Sequence, residues 1–409
     1  MKYHQLRINV YLSIVILIGL LFVAACKSTS KQIVHTPVPS STATTILTTQ
    51  APTFPPPLTQ TIIVPTNTPS PAVLAEASRI AFDGEDGSLC IIKPDGSAKQ
   101  CFSTAIESDL QYENRNITWS PKGTHVAFLN GYHLMVTHLD SGVSQQIYQD
   151  QGNDNSTEGR IVAGPVWNPD GTILAVIIGR EVYMFPIDAQ KFYRMETDAW
   201  EFVSAYDSAA NLGWSPDGRN LLYLRGGSDA TELDGVAASS LRGSGETRLL
   251  LPGAINYAIS MDQSQLAYRL KNGGIMITDA NCLNENSPID CTSASRALVA
   301  PEDEPGGGLW DLRWSPDGKK ILAQFYGSQY LIDVESGEIE MISQRSSYQT
   351  WPWSPDGKQL VLAHQTDGGM ENSQPYIFDL ASREETSLEG LGQFAKYSFF
   401  AWGFIAQAP

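Results

Sequence analysis

Apolar positions along this chain come in paired short runs that repeat. Five copies close the first run with a Trp, turn through Ser-Pro-Asp-Gly or a near variant, and open a second apolar run. They are ITWSPKGTHVAF (117–128), PVWNPDGTILAV (165–176), LGWSPDGRNLLY (212–223), LRWSPDGKKILA (312–323) and WPWSPDGKQLVL (351–362). A worn sixth copy, YAISMDQSQLAY (257–268), has Ile259 in the Trp position. The intervals from Trp119 to Trp167, Trp214, Ile259, Trp314 and Trp353 are 48, 47, 45, 55 and 39 residues. One supersecondary unit is being reused.

The unit reads as a β-hairpin. Pro supplies the fixed φ of the second turn position, Asp tolerates the bridge region, and Gly takes the left-handed conformation that lets the next strand begin. β-branched and aromatic residues flank the turn on both sides. Two more short strands follow, as in GYHLMVTHLDSGVSQQIY (131–148) and SQYLIDVESGEIEMIS (328–343). Four strands in about 47 residues, repeated, predict the blades of a β-propeller.

Second strands are expected at 79–82, 125–128, 173–176, 220–223, 265–268, 320–323 and 359–362, which makes seven blades, with six or eight as alternatives. The first of these lacks a Trp-bearing strand before it, while the aromatic stretch Tyr397–Trp402 lacks a blade of its own. Pairing the two closes the ring and removes the open edge. The fold class is therefore all-β, a closed propeller of four-stranded blades. Its tryptophans belong to the packing between blades rather than to sugar stacking. The residue before each is small at Thr118, Val166, Gly213 and Ala258, so that large meets small; Arg313 departs from that series.

Composition divides the chain before the repeats begin. Lys2 and Arg7 precede an uncharged run from Ile8 to Cys26 that ends Val-Ala-Ala-Cys, the form of an export signal. The Cys after two alanines resembles the lipobox of bacterial lipoproteins, which implies acylation of Cys26; an uncleaved anchor helix is the alternative. Thr, Pro and Ser make up 23 of the 36 residues from Thr36 to Pro71, and no charge lies between Lys31 and Glu76. Such a stretch cannot bury a core. The expected division is a signal at 1–25, a disordered linker at 26–76 and a propeller at 77–409. It puts the bulk of the protein outside the cytoplasm, on the cell membrane or an outer membrane, as a monomer. The formal charge of −17 becomes −19 on loss of the signal, because Lys2 and Arg7 go and no acid does. A surface of that sign repels phosphate backbones, which argues against nucleic acid as a partner.

At the WSPDG-like copies the chain resembles the TolB-type, WD-repeat-like propeller family, whose units are also similar to those of prolyl-oligopeptidase-type propellers. The resemblance spans residues 78–406 and implies the fold; it says little about function, since the scaffold carries binding and catalysis alike. Two departures matter. A stalk stands where TolB has an α/β domain, and no G-x-S-x-G sequence for a peptidase's hydrolase domain occurs.

Cys90 and Cys101 are equidistant from the Asp95-Gly96 turn and so face each other across a hairpin, while Cys282 and Cys291 bracket LNENSPID in the 55-residue interval. Outside the cytoplasm an even count favours two disulfides, with free thiols as the alternative. His125, His133, His138 and His364 fall in or beside strands without metal-ligand spacing. No cofactor is implied. The loops leading into the Trp strands are acidic, and three residues before the Trp-equivalents stand Asn116, Gly164, Asn211, Asn256, Asp311 and Thr350. Asn116, Asn211, Asn256, Asp311 and Thr350 are the candidate ligand-binding ring. The first expectation is a binding or scaffolding module for a protein, peptide or glycan, without catalytic residues. The second is a polysaccharide lyase or hydrolase with a divalent cation at the acidic rim, which a His and a carboxylate meeting at the channel mouth would favour. A purely structural role in the envelope is the third.

Overall fold

Alternating apolar residues that flank a tight turn form hairpins, and here they form them six times, a seventh sheet being completed by a strand from far along the chain. The computed structural model describes residues 77–84, 88–104, 114–130, 133–149, 161–178, 181–187, 193–196, 212–226, 233–241, 247–305, 309–325, 328–344, 346–347, 352–366, 369–388 and 400–405. Cys26 and the rest of 1–76 lie outside them.

Seven antiparallel sheets of four strands make up the propeller. Blade 1 holds β1 (Ser78–Asp83), β2 (Leu89–Ile92) and β3 (Gln100–Phe102). Blade 2 holds β4 (Asn114–Trp119), β5 (His125–Asn130), β6 (His133–His138) and β7 (Val143–Gln149). Blade 3 runs through β8 (Ile161–Trp167), β9 (Ile173–Ile178), β10 (Glu181–Pro186) and β11 (Tyr193–Glu196). In blade 4 come β12 (Leu212–Trp214), β13 (Asn220–Gly226), β14 (Leu233–Ser240) and β15 (Thr247–Pro252). Blade 5 consists of β16 (Ala254–Ile259), β17 (Gln265–Leu270), β18 (Ile275–Asp279) and β19 (Arg296–Val299). Blade 6 has β20 (Leu309–Trp314), β21 (Lys320–Phe325), β22 (Ser328–Asp333) and β23 (Ile339–Ser343). Blade 7 has β24 (Ser346–Ser347), β25 (Gln359–Thr366), β26 (Gly369–Asp379) and β27 (Glu385–Ser387), with Trp353 joined to Leu360 by a separate bridge. The fourth strand of blade 1 is the last of the chain, β28 (Phe400–Phe404), paired antiparallel with β1 so that Ile80 faces Trp402. The ring closes as its sequence implies.

The tryptophans lie between blades, and their indole nitrogens say why the preceding residue is small. Trp119 donates to the Ala401 carbonyl (2.9 Å), Trp167 to Thr118 (3.3 Å), Trp214 to Val166 (3.4 Å), Trp314 to Ala258 (2.9 Å) and Trp353 to Arg313 (3.2 Å). Each acceptor immediately precedes the Trp-equivalent of the previous blade, so every indole lies over its neighbour's innermost strand. Trp314 and Trp353 are fully buried. Burying an indole contributes on the order of 4 kcal/mol, as an upper estimate; the N–H bond adds about 1 kcal/mol. Area stabilises the joint, and the hydrogen bond fixes its register. Arg313 fits the rule through its backbone; its guanidinium pairs with Asp311 at 2.9 Å, on the strand face opposite Leu312 and Trp314.

The turns form a second belt. In blades 4, 6 and 7 the buried Ser215, Ser315 and Ser354 hydroxyls donate to Asp217, Asp317 and Asp356 at 2.6–2.7 Å and accept the N–H five residues on at 2.9 Å. The Asp is thus a partner for a buried hydroxyl as well as a turn former. A Cβ on Gly171 would meet Pro121 at 3.3 Å, one on Gly218 would meet Pro169 at 3.5 Å, and one on Gly357 would meet Pro316 at 3.4 Å. Successive turns therefore stack, Pro on Gly. In the worn copy Asp262 stays below the usual carboxylate range: its partial burial, the largest influence, pushes upward, but hydrogen bonds from Ser260 and Ser264 together outweigh it.

That copy, in blade 5, also solves the loss of its Trp differently. Tyr257 enters the joint with blade 4 and donates to the Leu222 carbonyl (3.1 Å), beside Gly213, where a Cβ would stand 2.7 Å from the phenol oxygen. Burial pushes the phenol's pKa far up, so it stays a neutral donor. The long interval is a segment, closed by the Cys282–Cys291 disulfide, that reaches back to blade 4. Leu283 O accepts from Asn220 Nδ2 (2.8 Å), Asn284 Oδ1 accepts from Asp217 N (3.0 Å), and Cys282, Leu283 and Cys291 join the blade 4–5 core. Cys90 and Cys101 are register partners on β2 and β3 and form the second disulfide.

Candidate functional site

Each innermost strand runs from one rim of the ring toward its turn, so the start of that strand marks the rim opposite the turns. A bulge recurs there. The pairing with the second strand shifts between Arg115 and Thr118 in blade 2, Ala163 and Val166 in blade 3, Ala254 and Asn256 in blade 5, and Leu309 and Asp311 in blade 6. Bulges locally break pairing and re-aim side chains, and they concentrate at rims and beside sites. In four blades the bulge falls within the five residues before the Trp-equivalent.

The residues expected to form a ring sit on these bulges where the structure describes them. Asn116 is half-buried at a φ of 53° and donates from Nδ2 to Gly164 O at 2.9 Å, linking equivalent positions of blades 2 and 3. Asn256 is buried in blade 5, opposite Arg269. Asp311 is half-buried; Oδ1 accepts from Leu312 N (2.9 Å) and Oδ2 pairs with Arg313. Asn211 and Thr350 lie outside the described residues, as do the acidic loop residues before Trp119 and nearly all of those before Trp167 and Trp214.

Further polar groups support this rim, among them Glu304 of the acidic loop before Trp314. Arg269 grips Glu304 with both ends of its fork, Nε to Oε1 at 3.0 Å and Nη2 to Oε2 at 2.9 Å, and Gly274 N also donates to Oε1 at 2.9 Å. The two side chains are only 11% and 8% exposed. Glu304 thus turns inward, whereas Glu302 and Asp303 beside it are exposed. Gln324, across from Asp311, and Gln329 are buried as well. Sequence offers no clue to the inward turn of Glu304, because its partner Arg269 lies 35 residues earlier, on β17. The described rim presents hydrogen-bonding groups held by backbone and by each other, and two acid–base pairs, Asp311 with Arg313 and Glu304 with Arg269.

The histidines do not meet there. His125 and His138 face each other at the turn end of blade 2. His364 reaches from β25 to Glu385 on the outermost strand (2.9 Å) and stacks on Tyr376. Among the described residues no group of three or more His, Cys, Asp or Glu stands within reach of one metal ion.

Fold and rim define the class: a seven-bladed β-propeller with a polar, bulged rim. No family model matches the chain, and no curated protein matches it. Among solved structures, one of a mitotic checkpoint complex is similar at 16% identity and a TM-score of 0.46, over 70% of this chain and 81% of that one. A candidate 6-phosphogluconolactonase of Bacteroides fragilis is similar at 15% identity and a TM-score of 0.50, over 81% and 99%. The latter likeness is one of fold alone. The two disulfides point to an oxidising compartment outside the cytoplasm. No helix among the described residues is long and apolar enough to cross a membrane.

Proposed function

We propose that the protein is a lipid-anchored, extracytoplasmic recognition module of the TolB-like type, acylated at Cys26, that offers its bulged rim to a protein, peptide or glycan. The observation that carries the reading is the repeated bulge, which sets Asn116, Asn256 and Asp311 at one end of a rigid ring. Partners already bound to Asn116 and Asp311 hold them in place, so little ordering remains to be done on binding. The Val-Ala-Ala-Cys26 sequence and the two disulfides support a place outside the cytoplasm, tethered to a membrane.

Two experiments test the two halves. Cys26→Ser is expected to abolish labelling by a radioactive fatty acid and to shift the chain from the membrane to the soluble fraction; unchanged labelling refutes the anchor. For recognition, the full chain is probed against envelope proteins and a glycan panel alongside Asn256→Ala, Asp311→Asn and, on the turn belt, Lys319→Ala. A partner lost by the first two and kept by the third supports the rim, whereas equal binding by all variants overturns it.

A further inference from the structure

One position of the repeat, next to the turn, carries a polar pair across the second and third strands in several blades, though blade 3 has Ile173 opposite Pro186 there. Blade 5 sets Gln265 opposite Asp279, blade 6 Lys320 opposite Asp333, and blade 7 Gln359 opposite Asp379. Each is a donor facing an acceptor: Lys320 Nζ lies 3.7 Å from Asp333 Oδ2, and Gln359 Nε2 donates to Asp379 Oδ2 at 3.3 Å. Blade 2 sets His125 opposite His138. Its turn differs too, with Lys122 in place of the Asp.

The local geometry brings two imidazole nitrogens together. Leu139 N donates to Thr124 O (3.0 Å), so 124 and 139 form a hydrogen-bonded pair and His125 and His138 the next, non-hydrogen-bonded one, where side chains lie closest. His125 Nε2 and His138 Nδ1 stand 2.9 Å apart, with ring centroids separated by 4.2 Å. His125 Nδ1 lies 2.7 Å from Thr124 Oγ1. A ring N–H given to that hydroxyl leaves the Nε2 lone pair facing His138, the outer hydrogen bond that metal-ligating histidines characteristically make. Both rings are half-buried, with His125 beside Trp167 of the next blade, and so remain open to solvent.

We propose that His125 and His138 form a two-nitrogen site for a divalent transition metal, Cu2+ before all others. Two metal–nitrogen bonds of about 2.0–2.1 Å at a right angle place the nitrogens about 2.9 Å apart, the spacing already present. A right angle suits the tetragonal geometry of Cu2+, which also binds nitrogen most tightly among the first-row divalent ions. Binding requires His138 to carry its proton on Nε2 and to turn about χ2 until its Nδ1 lone pair meets that of His125 on the ion; His125 keeps its contact with Thr124, and water fills the remaining positions.

The test is titration of the untagged full chain with Cu2+, followed by calorimetry and by electron paramagnetic resonance. One Cu2+ per chain with coupling to two nitrogens is expected. Thr124→Ala, which removes the outer hydrogen bond together with a long contact to Ser120 Oγ (3.5 Å), should weaken binding about tenfold, and His125→Ala or His138→Ala more than that. The double variant His125→Gln with His138→Asp transplants the blade 7 pair, which the repeat tolerates, and should keep the fold while abolishing the two-nitrogen signal. His133→Ala and His364→Ala should bind as the unaltered chain does. Absence of stoichiometric binding by the unaltered chain, or undiminished binding by the folded double variant, overturns the proposal.

Discussion

Arg269 and Glu304 show how much can rest on one side chain. The carboxylate is almost wholly buried, and besides the Gly274 N–H it depends on the guanidinium fork. Removing one partner of such a pair costs about 3–5 kcal/mol, because a charge is left buried without its counter-ion, whereas replacing both by apolar groups is often near neutral. Arg269→Met should therefore lower unfolding free energy by about 3 kcal/mol or more in a urea titration, and adding Glu304→Leu should recover most of it. If both variants lose the same amount, the pair is not the cause. From sequence, Glu304 cannot be told from Glu302 and Asp303, since its partner lies 35 residues back, on β17. Arg313 is comparable: it looks like an exception beside Trp314 until Asp311, two residues earlier on the same strand face, is placed against it.

The hairpin was legible because its signals are local. Turn chemistry and alternation reveal themselves within a dozen residues, and Cys90 and Cys101 could be paired by their position about a turn. What the 55-residue interval does was not legible, since an insertion shows its length but not its destination. The destination is blade 4, where the disulfide-closed segment fills a joint that lacks the usual Trp. Closing a loop of this size contributes about 2–3 kcal/mol. Cys282→Ser combined with Cys291→Ser is expected to lower stability by about that much and to expose the blade 4–5 joint to limited proteolysis before any other. Cleavage that begins elsewhere would show that Tyr257 alone holds the joint.

At the scale of the whole molecule, seven blades and their closure could be read from a count of second strands and one unclaimed aromatic strand near the end of the chain. The repeat also singled out Asn116, Asn256 and Asp311, but the bulges at which they sit were not legible, because a bulge follows from register between strands. Without β28, blade 1 would have three strands, and Trp119 would lose its acceptor on Ala401. A chain ending at residue 399 is expected to lose its single cooperative thermal transition and elute as a larger, protease-sensitive species in size-exclusion chromatography. A sharp transition at the original temperature would mean that closure is dispensable.

The same strand acts as a clock. Phe400 follows Ser78 by 322 residues, and at roughly 5–20 residues per second a ribosome needs on the order of 16–64 seconds to deliver one after the other. Until then the first blade has an open inner edge and the circle cannot lock. Blades 2 to 7 draw their four strands from consecutive sequence, so blade 1 alone waits for a distant one.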